Sequence, residues 1–138
     1  MDDLLEMLAR GMLDSVGEEA ERNYGDVSWS GLVQASLVIK GEPARRLFVA
    51  LDRDAALRLA GLVTGLDSDA IDADPTLAQD LAAEVANILA GNVQPALEGS
   101  YGLGLPEVGI PSGDVAGVIE LDLLRGGRFV VGLMEGSP

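Results

Sequence analysis

The spacing of apolar residues divides the first part of the chain into a helix and a hairpin. Leu4, Leu5, Leu8, Met12 and Val16 recur at helical spacing, which predicts an amphipathic helix from residue 2 to about residue 22, ending before Asn23. The period then changes to two in residues 33–39 and 47–51, on either side of Gly41-Glu42-Pro43. Alternation around a turn of this composition predicts a β-hairpin.

Two further helices are expected in the middle of the chain. Asp52 or Asp54 can cap a short helix that Gly65 would stop, because aspartate favours helix starts and glycine favours helix ends. A longer apolar run begins near residue 75 and continues towards Pro95. Because proline lacks the N–H that a continuing helix needs, we expect a kink or an early end just before it.

Residues 67–74, which join these two helices, carry four aspartates and suggest a calcium loop. An EF-hand loop here would need a glycine where Asp72 stands, so a solvated acidic loop is the expected structure. The chemistry of a helix start follows. Either Asp74 caps the long helix, or Thr76 caps it with Gln79 completing a capping box.

One face of the long helix is expected to be polar. Asp80, Glu84, Asn87 and Gly91 follow one another at spacings of four, three and four residues, so they form a single line on an α-helix. Alanines fill most other positions, and a neighbouring apolar stripe is expected to contain Leu77, Leu81, Val85 and Ile88. The helix can bury most of its surface and still present a narrow polar line.

The last third of the chain is predicted to complete a sheet. Residues 99–113 hold five glycines and two prolines, which indicates a connection with a short strand near 107–110. Residues 119–123 and 129–133 alternate around a Gly-Gly pair, which is typical of a hairpin. The order of elements favours a single α+β domain over residues 1–138. In this fold a largely antiparallel sheet packs against the long motif-bearing helix and two further helices.

Composition narrows the possible chemistry. A chain of 138 residues can bury a core without disulfides or metal. The absence of histidine and cysteine excludes imidazole bases, thiol nucleophiles and the usual zinc sites. A formal charge of −14 makes nucleic acids and membranes poor partners. The acidic N-terminus and short apolar runs predict a cytoplasmic protein.

At the long helix the residues resemble a known family. The run from Asp80 to Asn92, DLAAEVANILAGN, is followed by Tyr101-Gly102 and by Pro106-Glu107-Val108. Together these residues resemble the signature helix and following segment of the CheC/CheX group of bacterial chemotaxis phosphatases. They are most similar to CheX-like members, which carry a single Glu-x-x-Asn motif that runs into Ala-Gly-Asn.

The resemblance implies hydrolysis of the aspartyl phosphate on a CheY-type response regulator receiver domain. It implies that Glu84 and Asn87 are the catalytic residues, with Asn87 positioning the attacking water and Glu84 contacting the regulator. Asp80 would extend the contact, and Gly91 would let a loop of the partner come close. The receiver would hold the Mg²⁺, so no cofactor is expected in this chain.

Two other functions stay open at this point. A non-catalytic module of the same fold would bind a response regulator or the flagellar switch, and Glu84 and Asn87 would then affect affinity without turnover. A structural domain would form a homodimer through its exposed sheet edges. Faster release of phosphate from a phosphorylated regulator would distinguish the phosphatase from both alternatives.

Overall fold

A computed structural model describes residues 1–65 and 75–135. The described helices are α1 (Asp2–Ser15), α2 (Arg53–Thr64) and α3 (Leu77–Val93), and a 3₁₀ turn at Gln94–Ala96 follows α3. The described strands are β1 (Ala20–Asn23), β2 (Val33–Gly41), β3 (Arg45–Leu51), β4 (Ser100–Leu103), β5 (Glu107–Val108), β6 (Asp114–Leu123) and β7 (Arg128–Glu135).

These strands form one sheet in the order β1-β6-β7-β3-β2-β4, and β5 also pairs with β2. Every described pair is antiparallel. The two predicted hairpins, β2–β3 and β6–β7, are confirmed, and Gly126 and Gly127 both have positive φ in the second turn. The α+β fold with an antiparallel sheet is therefore confirmed.

The main core lies between one face of the sheet and the three helices. Alternate residues of β2, β3, β6 and β7 face the helices and are almost fully buried. The buried face of α3 consists of Ala78, Leu81, Ala82, Val85, Ala86, Leu89, Ala90 and Val93. Because half of these side chains are alanine, α3 can lie close to its neighbours, and its position is fixed by dense packing.

The first helix is shorter than its apolar period predicts. The expected helix to about residue 22 is wrong, since α1 ends at Ser15. Gly17, just beyond the helix, has a φ of 76°, in the left-handed region. Residues 20–23 instead pair with residues 120–123 as the edge strand β1. Glu18, at the junction, is buried and accepts a hydrogen bond from Arg58 of α2 at 2.7 Å. The helix thus ends at a glycine in the left-handed region, and the first residue beyond that glycine is held by a tertiary ion pair.

The glycine-rich segment after α3 contains more strand than expected. The short strand near 107–110 is confirmed as β5, whereas β4 was not predicted. Gly99, with a φ of 82°, turns the chain back along β2. A Cβ atom on Gly41 would lie 2.7 Å from the carbonyl oxygen of Gly99. Glycine is needed at this point because two backbone segments touch.

At its N-terminus, α3 has Thr76 at the cap position. The proposed capping box is wrong, because the amide of Gln79 donates to the carbonyl of Gln34 at 2.7 Å. That bond attaches α3 to β2. The acidic segment 67–74, including the alternative cap Asp74, lies outside the described residues. At the other end, α3 stops at Val93 and is followed by the 3₁₀ turn that contains Pro95. The predicted early end before the proline is confirmed.

The outermost strands of the described sheet are β1 at one side and β4 and β5 at the other. Pairing of two copies through such edges stays a prediction.

None of the helices that the structure describes is long and apolar enough to cross a membrane.

A glycine on the second face of the sheet gives a test of the packing. Phe48 is fully buried and lies directly opposite Gly132 on the neighbouring strand. The centroid of its ring is 4.9 Å from the centroid of the Trp29 ring. A Cβ atom at Gly132 would overlap the Phe48 ring. We expect Gly132→Ala to lower the free energy of unfolding by about 2 kcal/mol, because the added methyl group must displace a fully buried ring. Urea denaturation measures this change.

Gly11 provides the matched control. It lies exposed within α1, and a Cβ atom there would meet nothing within 4 Å. Gly11→Ala should raise the free energy of unfolding by about 0.5–1 kcal/mol through helix propensity. Equal stability of the Gly132→Ala variant and the parent protein would contradict the packing described for Phe48.

Candidate functional site

The candidate site is the outer face of α3. The helix runs without interruption from Leu77 to Val93, and its inner face is buried against the sheet and the other two helices. Beyond its C-terminal end, the hydroxyl of Ser100 donates to the carbonyl oxygens of Gln94 and Leu97 at 2.9 and 2.7 Å. Both ends of α3 are thus attached to the sheet, so side chains on its outer face project from a rigid support.

The sequence-predicted line lies on this outer face. Asp80, Glu84, Asn87 and Gly91 are all exposed and fall within one uninterrupted helix. At a rise of 1.5 Å per residue, the line is about 16 Å long. The structure therefore brings the four predicted residues together along one exposed strip of the molecule.

Glu84 and Asn87 lie at the middle of this line. Within residues 1–65 and 75–135, neither side chain has a hydrogen bond or an ion pair. A carboxylate in this state accepts hydrogen bonds from a cation, and an amide offers both an acceptor oxygen and two N–H donors. The pair can serve an external molecule without breaking any contact of the described fold.

The two outer residues of the line differ in their surroundings. The carboxylate of Asp80 accepts a hydrogen bond from the hydroxyl of Thr76 at 3.1 Å. A negative charge in the first turn also stabilises the helix dipole, so Asp80 has a local role. Gly91 has open space around it, and a Cβ atom there would meet nothing within 4 Å. The described fold does not require glycine at this position.

The position of Ile88 differs from expectation. Leu81 and Val85 of the predicted apolar stripe are 6% and 4% exposed, but Ile88 is 41% exposed. Ile88 directly follows Asn87 and is four residues after Glu84, so it lies beside the polar line and not opposite it. This neighbourhood in the sequence was the signal that Ile88 belongs to the outer surface.

The electrostatic field of this surface is negative. Asp80 and Glu84 are the charged residues of α3, and the helix contains no lysine or arginine. Several arginines elsewhere are held in ion pairs, for example Arg58 with Glu18 and Arg128 with Glu120. Among the described residues there is no group of three or more side chains placed to bind a metal ion. The surface is suited to a partner that presents a cation.

No protein-family model matches this sequence, and no curated protein matches it. Solved structures do share its fold. The chemotaxis protein CheX from Desulfovibrio desulfuricans is 17% identical, with a TM-score of 0.69 over 96% of this chain and 97% of that one. A CheC-like superfamily protein from a Shewanella species is 11% identical, with a TM-score of 0.63 over 95% of each chain.

A further similar structure is a chain of the CheX–CheY–BeF₃–Mg²⁺ complex from Borrelia burgdorferi. It is 20% identical, with a TM-score of 0.71 over 98% of this chain and 94% of that one. At these identities the likeness concerns the fold. The CheX-like fold implied by the motif is thereby confirmed.

Proposed function

We propose that this chain, which has the fold of CheX and CheC-like chemotaxis proteins, is a phosphatase for the aspartyl phosphate of a CheY-type response regulator. The observation that carries the proposal is the exposed pair Glu84 and Asn87, which has no partner in the described part of the chain. A structurally similar chain belongs to a complex of CheX with CheY, BeF₃ and Mg²⁺, which supports this choice of partner.

In the proposed reaction, Asn87 positions the attacking water. Its side-chain oxygen accepts a hydrogen bond from the water, and its N–H₂ group donates to the receiver site. The water oxygen forms a bond to phosphorus while the bond from phosphorus to the aspartate oxygen breaks. The aspartate leaves as a carboxylate, and both protons of the water remain on the released phosphate, which departs as H₂PO₄⁻.

This reaction does not need a strong base from the helper protein. An acyl phosphate has a good leaving group, and the receiver supplies the Mg²⁺ and a lysine that balance the charge. The chain has no histidine, and a water held in line by an amide requires none. The proposal is consistent with the residue types that the outer face of α3 presents.

Glu84 recognises the partner in this proposal. It lies three residues before Asn87 on the same exposed face, within reach of the same site on a bound receiver. Its carboxylate accepts a hydrogen bond from the receiver lysine and fixes the approach of the two proteins. Asp80 extends the negative surface by one further turn.

Gly91 provides a prediction that separates stability from binding. Gly91→Ala should raise the free energy of unfolding by about 0.5 kcal/mol, since alanine favours helix and no atom lies in the way. The added methyl group should nevertheless weaken receiver binding severalfold, because the partner backbone approaches there. Thermal unfolding and titration with a BeF₃-activated receiver measure the two effects.

Gly11→Ala is the control, since Gly11 is equally open on α1. It should stabilise the protein without changing affinity for the receiver. If Gly91→Ala binds the receiver as tightly as the parent, Gly91 does not lie in the contact.

The proposal is tested by the decay of a phosphorylated CheY-type receiver in Mg²⁺, with and without this protein. Faster decay in its presence supports the phosphatase. Unaltered decay, together with measurable binding of the activated receiver, would establish the alternative, a non-catalytic binding module of the same fold.

A further inference from the structure

An apolar groove runs beside the polar line of α3, where α1, α2 and α3 meet. Its volume is about 220 Å³. Its apolar lining is supplied mainly by Met12, Val16, Leu59, Val63, Val85 and Ile88. An engineered cavity of about 150 Å³ can hold benzene. The groove therefore has room for one large apolar side chain.

Two large apolar side chains at the mouth of the groove are exposed to solvent. Val63 on one wall is 58% exposed, and Ile88 on the other is 41% exposed. Exposed apolar groups that converge on a concave surface with a polar rim are typical of interaction sites.

The groove is continuous with the candidate site, because Glu84 lines both. Its side chain is part of the groove wall and also the centre of the polar line. Ile88 is one turn after Glu84 and adjacent to Asn87. A partner that contacts Glu84 and Asn87 therefore lies beside the mouth of the groove.

Charge indicates the kind of residue that fits. Glu84 is the charged residue in the described lining, and no lysine or arginine faces the groove there. An apolar side chain next to a lysine or arginine would fill the cavity and neutralise its rim at the same time. The receiver in the proposed function already brings a lysine to Glu84.

We propose that the groove binds an apolar side chain of the same response regulator, carried beside the cation that Glu84 contacts. The inference rests on the proposed function and adds to it a determinant of partner choice. Val63 and Ile88 are its specificity residues. They act on the affinity of the complex, while Asn87 acts on the chemical step.

The test is the steady-state dephosphorylation of a CheY-type receiver by the full chain carrying Val63→Ser and Ile88→Ser together. Serine has helix propensity similar to isoleucine and valine, and both positions are largely exposed, so the fold should be retained. KM should rise about tenfold, since the receiver side chain loses its apolar contacts. Turnover should return to the parental value at saturating receiver.

Two controls match the exposure of the altered residues. Val115 on β6 is 41% exposed and Leu124 is 58% exposed, and neither lines the groove. Val115→Ser combined with Leu124→Ser should leave KM unchanged. An equal rise in KM in this control would mean that general loss of surface apolarity is responsible, and it would overturn the proposal.

The remaining outcomes distinguish failure of the groove from failure of the phosphatase. An unchanged KM in the groove variant, with active parental protein, overturns the groove and leaves the phosphatase standing. If the parent binds the BeF₃-activated receiver without dephosphorylating it, affinity is the readout; a tenfold loss in the groove variant supports the groove although catalysis has failed. If sedimentation shows that the variant only dissociates a dimer of this chain, the groove binds a second copy and the proposal is wrong.

Discussion

Asn87→Ala is expected to lower the rate of receiver dephosphorylation by about a hundredfold or more, since loss of water positioning alone can have an effect of this size. The side chain is exposed and has no hydrogen bond within the described residues, so its removal should not disturb the fold. Alanine also favours helix more than asparagine does. The change should therefore appear in kcat at saturating receiver and not in thermal stability. Single-turnover decay of the phosphorylated receiver measures it.

Asn92 offers a control of the same residue type. It is exposed on α3, five residues after Asn87, and therefore lies well around the helix from the polar line. Asn92→Ala should leave turnover within about twofold of the parent, since only contacts special to the transition state affect that rate. Parental turnover in Asn87→Ala would exclude the water-positioning role.

Glu84→Lys is expected to weaken receiver binding on the order of a hundredfold, because a lysine placed opposite the lysine of the receiver adds repulsion where attraction was lost. Glu84 is exposed and has no ion pair among the described residues, so reversing its charge breaks no ion pair there. Turnover at saturating receiver should fall much less than affinity. Titration with the BeF₃-activated receiver at two salt concentrations measures the effect, which should shrink as salt rises.

Glu21→Lys makes the same change in net charge at a distant place. Glu21 is exposed on the edge strand β1, outside the helical layer. It should alter affinity only slightly, through the overall field of an acidic protein. Equal losses for the two variants would show that net charge, and not contact at Glu84, governs binding.

The parts of the fold that follow from the sequence are those with strong local patterns. Residues 33–51 alternate around a turn, and residues 119–133 alternate around Gly126-Gly127, so both hairpins are determined by period and turn chemistry. α2 is similarly bounded, with Asp52 at its N-cap position and Gly65 in the left-handed region at its C-cap. Local chemistry determines these elements before any tertiary contact forms.

The errors occur where a tertiary contact decides the structure. Gly17 is a local signal for the end of the helix, which the apolar period outweighed in the prediction. Nothing local shows that residues 20–23 form a strand, and they become β1 because β6 offers an edge. Likewise β4 exists because Gly99 and Gly41 allow two backbones to touch. A single sequence indicates the secondary structure that each segment prefers, but it does not indicate which other segment will pair with it.

The sequence was enough to predict the line of residues along α3, but it did not predict the surface that surrounds this line. The spacing of Asp80, Glu84, Asn87 and Gly91 was enough to place them on one face. The groove beside that line is formed by three helices that meet only in the folded chain. Ile88 shows the difference, because its spacing places it between the polar line and the apolar stripe, and the packing of the three helices leaves it exposed.

The most direct test of the phosphatase proposal is the decay of a phosphorylated CheY-type receiver, in Mg²⁺, with the receiver in large molar excess over this protein. If this protein is a phosphatase, loss of phosphate is faster and continues until all of the receiver is dephosphorylated, since each molecule of this protein acts repeatedly. Decay at the rate of the receiver alone, with complex formation demonstrated in the same solution, would contradict catalysis.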